Sequence, residues 1–250
     1  MRRLVACALA VVGLVGLVVL AGCQWSRPAA VPTPTPTATT STPVGPGPTP
    51  TESVVTGSVT PTATGTPLRL TDDQADTLLL APTDLPSPYQ VDPYVSPDTK
   101  VGLPPGCPVL EVFGAMLQSA PVRAARGFVG GQVGPFLEER IAVLPGAATD
   151  AVAQLARVGT ACRSFNSRDS DGTTVRFAVT TLALSGPATD QTVALTISGH
   201  PAGSGALVTE VAAVRRGDVV VMFVHSGLDR LDPEVLQAAL GHAVRTLDNF

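Results

Sequence analysis

The chain has 250 residues, with 16 basic, 20 acidic and 3 histidine side chains and a net charge of −4. That acidic balance argues against a nucleic-acid partner and against electrostatic binding to anionic headgroups. The 24 prolines and 24 glycines are unevenly spread, and the sequence divides into a leader, a proline-rich tract and one region long enough for a real core. Arg2 and Arg3 open the chain and precede an uncharged apolar run from Leu4 to Gly22. A basic start followed by an apolar stretch is the pattern of a secretory signal peptide. A retained membrane helix is the rival, because the run approaches the ~20 residues that span a bilayer.

Leu20-Ala21-Gly22-Cys23 separates the two readings. Small residues before a cysteine fit the narrow cleavage groove of a lipoprotein signal peptidase. The four residues resemble the bacterial lipoprotein lipobox at every position. The resemblance implies removal of residues 1–22, a diacylglyceryl group on the Cys23 thiol and a further acyl chain, such as palmitate, on the freed amine. One acyl chain holds a protein only marginally at about 0.8 kcal/mol per buried methylene, so two or three would anchor it nearly permanently. The expected partner is therefore the cell membrane, reached through lipid on the extracytoplasmic face. The alternative is a signal anchor with Cys23 at its exit. Cys7 lies in the leader, and loss of Arg2 and Arg3 leaves 14 basic and 20 acidic residues, a net −6.

From Gln24 to about Thr66 the chain is Pro, Thr, Ser, Gly, Ala and Val, nearly without charge or apolar periodicity. Such a segment cannot bury enough surface to offset the entropy of ordering it. We read 23–66 as a flexible linker, reaching on the order of 100 Å if it holds polyproline II at about 3.1 Å per residue. Thr and Ser beside Pro are either O-glycosylation sites or an unmodified spacer. Trp25, the single tryptophan, either rests at the membrane interface or has no role.

The folded region is 67–250. Thr71 caps a short helix, TDDQADTLLL, with acids in its first turn. A proline-broken loop follows. Cys107-Pro108 opens the helix PVLEVFGAMLQS, with Val109, Val112, Phe113 and Met116 expected on its buried face. RGFVGGQVG and PFLEERIAVLP read as paired strands. AATDAVAQLARVGTAC is an amphipathic helix on which Ala151, Leu155 and Val158 align ahead of Cys162. TVRFAVTTLAL, QTVALTISG, ALVTEVAAVRR and DVVVMFVHS are four strand-like runs separated by turn residues, an antiparallel meander. DPEVLQAALGHAVRTL closes the chain as a helix capped by Asp232, with Leu236, Leu240, Ala243 and Leu247 facing the sheet. Strands in runs with helices grouped beside them predict an α+β fold, an antiparallel sheet of about six strands backed by helices.

In an exported chain the remaining pair, Cys107 and Cys162, is most simply one disulfide. It would close a loop worth roughly 4 kcal/mol in the chain-entropy model. The alternative, a metal site, lacks histidines at ligand spacing.

The segments LLLAPTDLPSPY, LEERIAVLPGAATDAVAQLARVGTACRSFNSRDSDGTTV and VRRGDVVVMFVHSGL resemble the extracellular sensor domain of PknH-type receptor serine/threonine kinases, which also occurs in stand-alone actinobacterial lipoproteins. The resemblance spans nearly all of 68–250. One lysine, Lys100, against fifteen arginines points to a GC-rich genome. The resemblance implies an antiparallel sheet backed by helices and a cleft for an unidentified ligand. Two departures stand out: no glycine-rich loop, HRD or DFG marks a kinase domain here, and one candidate disulfide replaces the two of the kinase sensor.

The remaining motifs favour structure over chemistry. RDSDGTT at 168–174 resembles a calcium loop, but aligning Gly172 at position six puts Ser167 at one and Ala178 at twelve, without the terminal acids. Asp171-Gly172 reads better as a turn. Arg-Gly-Asp at 216–218 reads as a hairpin turn. GFVGGQVG at 127–134 lacks GK[ST] and GxGxxG, and its glycines read as a bulge or a close backbone approach. His200, His225 and His242 share no ligand spacing and read as surface or partly buried structure; GxSxG is absent and AGSG at 202–205 is an ordinary loop. Glu138 and Glu139 point to opposite faces of a strand and cannot share a site. Glu210 is a site candidate if buried, and an edge or solvent-facing position is the favoured reading.

The sequence thus points to a lipid-anchored extracytoplasmic protein with a sensor-like, non-catalytic ligand-binding domain. No cofactor or metal is implied. The ligand is a small molecule, a lipid or an envelope protein. An assembly lipoprotein docking a membrane partner is the alternative, and an enzyme of unrecognised type the second.

Overall fold

The computed structural model describes residues 70–249 apart from 87, 169–171, 185–188 and 202–204. The leader, Cys23 and the linker lie outside the described residues. Val59–Phe250 forms one compact unit. Both hydrophobic cores fall between Leu70 and Leu247, so this unit closes its own interior and folds on its own.

Eight strands form a single antiparallel sheet: β1 Gln90–Asp92, β2 Val122–Val129, β3 Phe136–Val143, β4 Ser164–Arg168, β5 Thr174–Thr181, β6 Gln191–Gly199, β7 Leu207–Arg216 and β8 Val219–Leu228. Their order across the sheet is β1-β2-β3-β8-β7-β6-β5-β4. Four helices cover it: α1 Asp72–Leu78, α2 Pro108–Gln118, α3 Ala148–Ala161 and α4 Pro233–Asp248. The architecture is α+β, with eight strands where the sequence pointed to about six. The additions are the two edges, β1 and β4. β1 is three residues between prolines, and β4 alternates only Phe165 and Ser167 inward over five residues.

The pleat sends alternate residues to opposite faces, and each face has its own core. Ile141, Val221 and Phe223 pack with α1 and α4 on one face. Ala142, Val220 and Met222 pack with α2 and α3 on the other. Strands β3, β7 and β8 are therefore buried on both faces and read as near-continuous apolar runs.

Local signals explain the helices. The Thr71 hydroxyl accepts from Gln74 N while Gln74 Oε1 accepts from Thr71 N, a reciprocal cap on α1. Asp232 caps α4 by accepting from Glu234 N, and Leu236, Leu240, Ala243 and Leu247 are buried as the period requires. Ala151, Leu155 and Val158 of α3 are buried too. The buried stripe of α2 is Leu110, Phe113, Gly114 and Leu117, whereas the sequence pointed to Val109, Val112, Phe113 and Met116. Val112 is half exposed. Two adjacent stripes share Phe113, and periodicity alone does not choose between them on a helix apolar nearly all round.

The strand expected at RGFVGGQVG begins earlier, at Val122, and ends at Val129. The following glycines belong to the hairpin loop before Pro135. Gly127 has the close backbone approach expected of it: a Cβ there would collide with the Val95 side chain. Arg-Gly-Asp forms the β7–β8 hairpin turn, with Gly217 at φ +56° and its N–H donating to Asp190.

Candidate functional site

On the α2–α3 face the helices leave one end of the sheet uncovered. There a groove of about 440 Å³ opens between the sheet and the loop before α2. Its floor is built by the pleat. Val175 and Phe177 come from β5, Leu207 and Thr209 from β7, Ser226 from β8 and Ser167 from β4. Thr209 and Ser226 are cross-strand neighbours, and Ser226 Oγ donates to Thr209 Oγ1 at 3.1 Å. Phe177 lies over β6 at Gly199, where a Cβ would come within 2.8 Å of the ring, so glycine lets the ring lie flat across the sheet. Phe165 stacks behind it at 5.4 Å.

Gly102, Leu103, Pro104 and Pro105 form the roof. The loop is clamped at both ends. Gly102 N–H donates to Glu138 Oε2 at 3.0 Å, and Arg140, which is ion-paired with Glu138, donates to Thr99 O at 2.7 Å. At the other end Gly106 N–H donates to Glu111 Oε1, and its α-carbon abuts the Asn166 carbonyl with φ +109°. One residue later Cys107 is bonded to Cys162 at the end of α3. The span between the clamps has a second, smaller cavity of about 190 Å³ on its α2 side, lined by Leu110 and Gly114.

The opposite face is closed and holds buried polar groups. Glu139 is fully buried; its Oε2 accepts from Leu80 N at 2.7 Å while Arg126 Nη1 donates to Leu80 O at 2.7 Å. Glu139 Oε1 has no partner. Burial pushes this carboxyl up to about 8, against the lowering effects of the Leu80 N–H and the Arg126 charge, with nearby Asp84 raising it further. On the neighbouring strand β8, His225 is fully buried between Tyr89 and Glu210. The Tyr89 hydroxyl lies 3.0 Å from Nε2, and burial holds its pKa up at about 12. We assign Nε2 as acceptor from that hydroxyl, which leaves Nδ1–H facing Glu210 Oε2 at 3.5 Å.

Several sequence readings are thereby corrected. His225 is neither surface nor partly buried but fully enclosed. Glu210 lies on the interior strand β7, directly opposite His225 on β8, and not on an edge. His200 is exposed, and His242 Nδ1 lies 3.5 Å from Asp84 Oδ2. Glu138 and Glu139 do point to opposite faces, as the pleat requires. Ser226 faces the groove while His225 faces the closed side, so these neighbours make no Ser–His pair. Among the described residues no three His, Cys, Asp or Glu side chains cluster to hold a metal ion. Residues 169–171 and 202–204, and with them three of the seven residues of the calcium-like loop and three of the four of AGSG, lie outside the described residues; Gly172 has φ +82° in the β4–β5 connection.

The chain is similar in fold to the crystal structure of the extracellular domain of PknH from Mycobacterium tuberculosis. The TM-score is 0.53 at 14% sequence identity, covering 74% of this chain and 99% of that one. No protein-family model matches the chain, and no curated protein does. No helix among the described residues is long and apolar enough to cross a membrane.

Proposed function

We propose that this chain is a lipid-anchored extracytoplasmic protein whose 67–250 domain binds a ligand in the groove over β4–β8, as a sensor and without catalysis. The groove is the observation that carries this reading. Its volume lies within the roughly 300–1,000 Å³ of small-molecule sites, and its lining is mostly apolar with a few hydroxyls, as such sites are. The likeness in fold to an extracellular kinase domain supports the sensor role. The Cys23 motif supports anchoring by lipid, with residues 23–66 as the tether.

Native mass spectrometry of the oxidised protein from its host tests the binding role. A bound species that is lost when Leu207→Trp fills the groove supports it, and a ligand retained by that variant contradicts it. The anchor is tested separately. A Cys23→Ala variant should leave the membrane fraction, and the wild-type mature N-terminus should be an acylated Cys23.

A specific feature favours docking of an envelope protein as the second reading. Phe136 and Leu228 are about half exposed where the sheet runs out beyond the helices, the kind of apolar patch a protein partner covers.

A further inference from the structure

We infer that the occupant of the groove is an uncharged amphipath, a single extended hydrocarbon chain carrying a hydroxyl or carbonyl group. This rests on the groove being a binding site and adds the chemistry of what binds.

Charge is the first argument. Arg168 is the single charged residue in the lining. Strand β4 alternates with Ser167 buried and Arg168 exposed, which puts the guanidinium on the solvent side of the strand and not over the floor. A cation entering here would lose hydration and meet no opposite charge, and an anion would find its one counter-charge outside the floor.

Hydrogen-bonding capacity is the second. Ser226 Oγ donates to Thr209 Oγ1. Thr209 therefore keeps its own hydroxyl hydrogen to give, and Ser226 keeps lone pairs to accept. Ser167 adds a third hydroxyl. The floor strands from β5 to β8 are paired on both sides, so their backbones offer nothing to a ligand. A peptide brings an amide at every residue and would leave most of them unsatisfied. A chain with one or two polar atoms matches three hydroxyls.

Length is the third. From Ser226 on β8 through Thr209 on β7, across β6, and through Phe177 on β5 to Ser167 on β4, the floor crosses four strand-to-strand steps. At about 4.8 Å each these span roughly 19 Å, the reach of a long acyl chain laid across the strands. Phe136 and Leu228 extend the apolar floor beyond the cavity.

The test is calorimetric titration of the oxidised 59–250 unit with decane-1,2-diol, decanoate and decyltrimethylammonium, each below its micellar concentration. The diol should bind at least about tenfold more tightly than either ion, because each ion must shed water without a partner. Thr209→Val with Ser226→Ala should weaken the diol by about tenfold. Leu207→Arg, which sets a cation in the floor, should reverse the preference in favour of decanoate. An unfolded variant cannot reproduce that reversal. Equal affinity for all three compounds, or preference for an ion, would overturn the uncharged occupant and leave the groove as a binding site. Binding of none of them, with Leu207→Arg equally inert to decanoate, would overturn both.

Discussion

The two faces of one sheet have been put to different uses. Under α1 and α4 the sheet is sealed, and its polar side chains find their partners inside the protein: Glu139 at Leu80, His225 at Tyr89. Under α2 and α3 the cover stops short, and the hydroxyls of buried Thr209 and partly buried Ser226 bond to each other beside an apolar floor. A sheet face stabilises the fold where a helix covers it, and becomes available to a ligand where the helix is replaced by a clamped loop. The contrast also separates what each kind of buried polar group does. On the sealed face such groups fix register and strap loops to the sheet; on the open face they remain available to a ligand.

The contrast breaks most visibly under truncation of matched phenylalanines. Phe223→Ala on the sealed face should cost about 3–5 kcal/mol in denaturant unfolding, because it empties a fully buried site. Phe136→Ala, half exposed on the open face, should cost under about 1 kcal/mol. Comparable losses would mean that the open face is core and that the groove closes in solution.

Removing the Cys107–Cys162 bridge, by Cys→Ala at both positions, should lower stability by roughly 4 kcal/mol for its separation of 55 residues. The loss should be unevenly shared. Hydrogen exchange should rise first in the roof, 101–106, while α4 amides keep their protection.

Glu139 sharpens the sealed side. Its carboxyl stands at about 8 folded against 4.5 ordinarily, so the folded state holds a proton that the unfolded state releases. Stability should therefore be unaffected by this group below about pH 4.5, fall by about 1.4 kcal/mol per pH unit as pH rises towards 8, and level off above. Glu139→Gln keeps the acceptor for Leu80 N–H and removes the ionisable proton. It should match wild type at pH 4 and exceed it at pH 8 in urea unfolding. A variant no more stable than wild type at pH 8 would refute the raised pKa. Tyr89→Phe should cost about 1–2 kcal/mol in the same unfolding measurement, for leaving His225 Nε2 unsatisfied.

The sequence exposed these features unequally. Periodicity and caps marked α1, α3, α4 and the four-strand meander because those signals are local. Thr71 and Gln74 are three residues apart, and Gly217 serves its own turn. The face of α2 was ambiguous because Val112 and Leu110 are equally apolar and only the sheet decides between them. The burial of Glu139 and His225 was not readable, since their partners Leu80 and Tyr89 lie 59 and 136 residues away. The groove left one weak trace: the LPPG run before Cys107 is rigid and apolar, as a roof should be. Its floor is assembled from four strands, and nothing in any one of them marks a site.

Amide chemical-shift mapping of the 59–250 unit titrated with decane-1,2-diol decides whether the groove over β4–β8 is the binding face. Shifts are expected at Val175, Phe177, Leu207, Thr209 and Ser226 and at Gly102 and Leu103 of the roof, with α4 from Val235 to Leu247 unmoved. Shifts concentrated on α4 and the sealed face, with a silent groove, would contradict it.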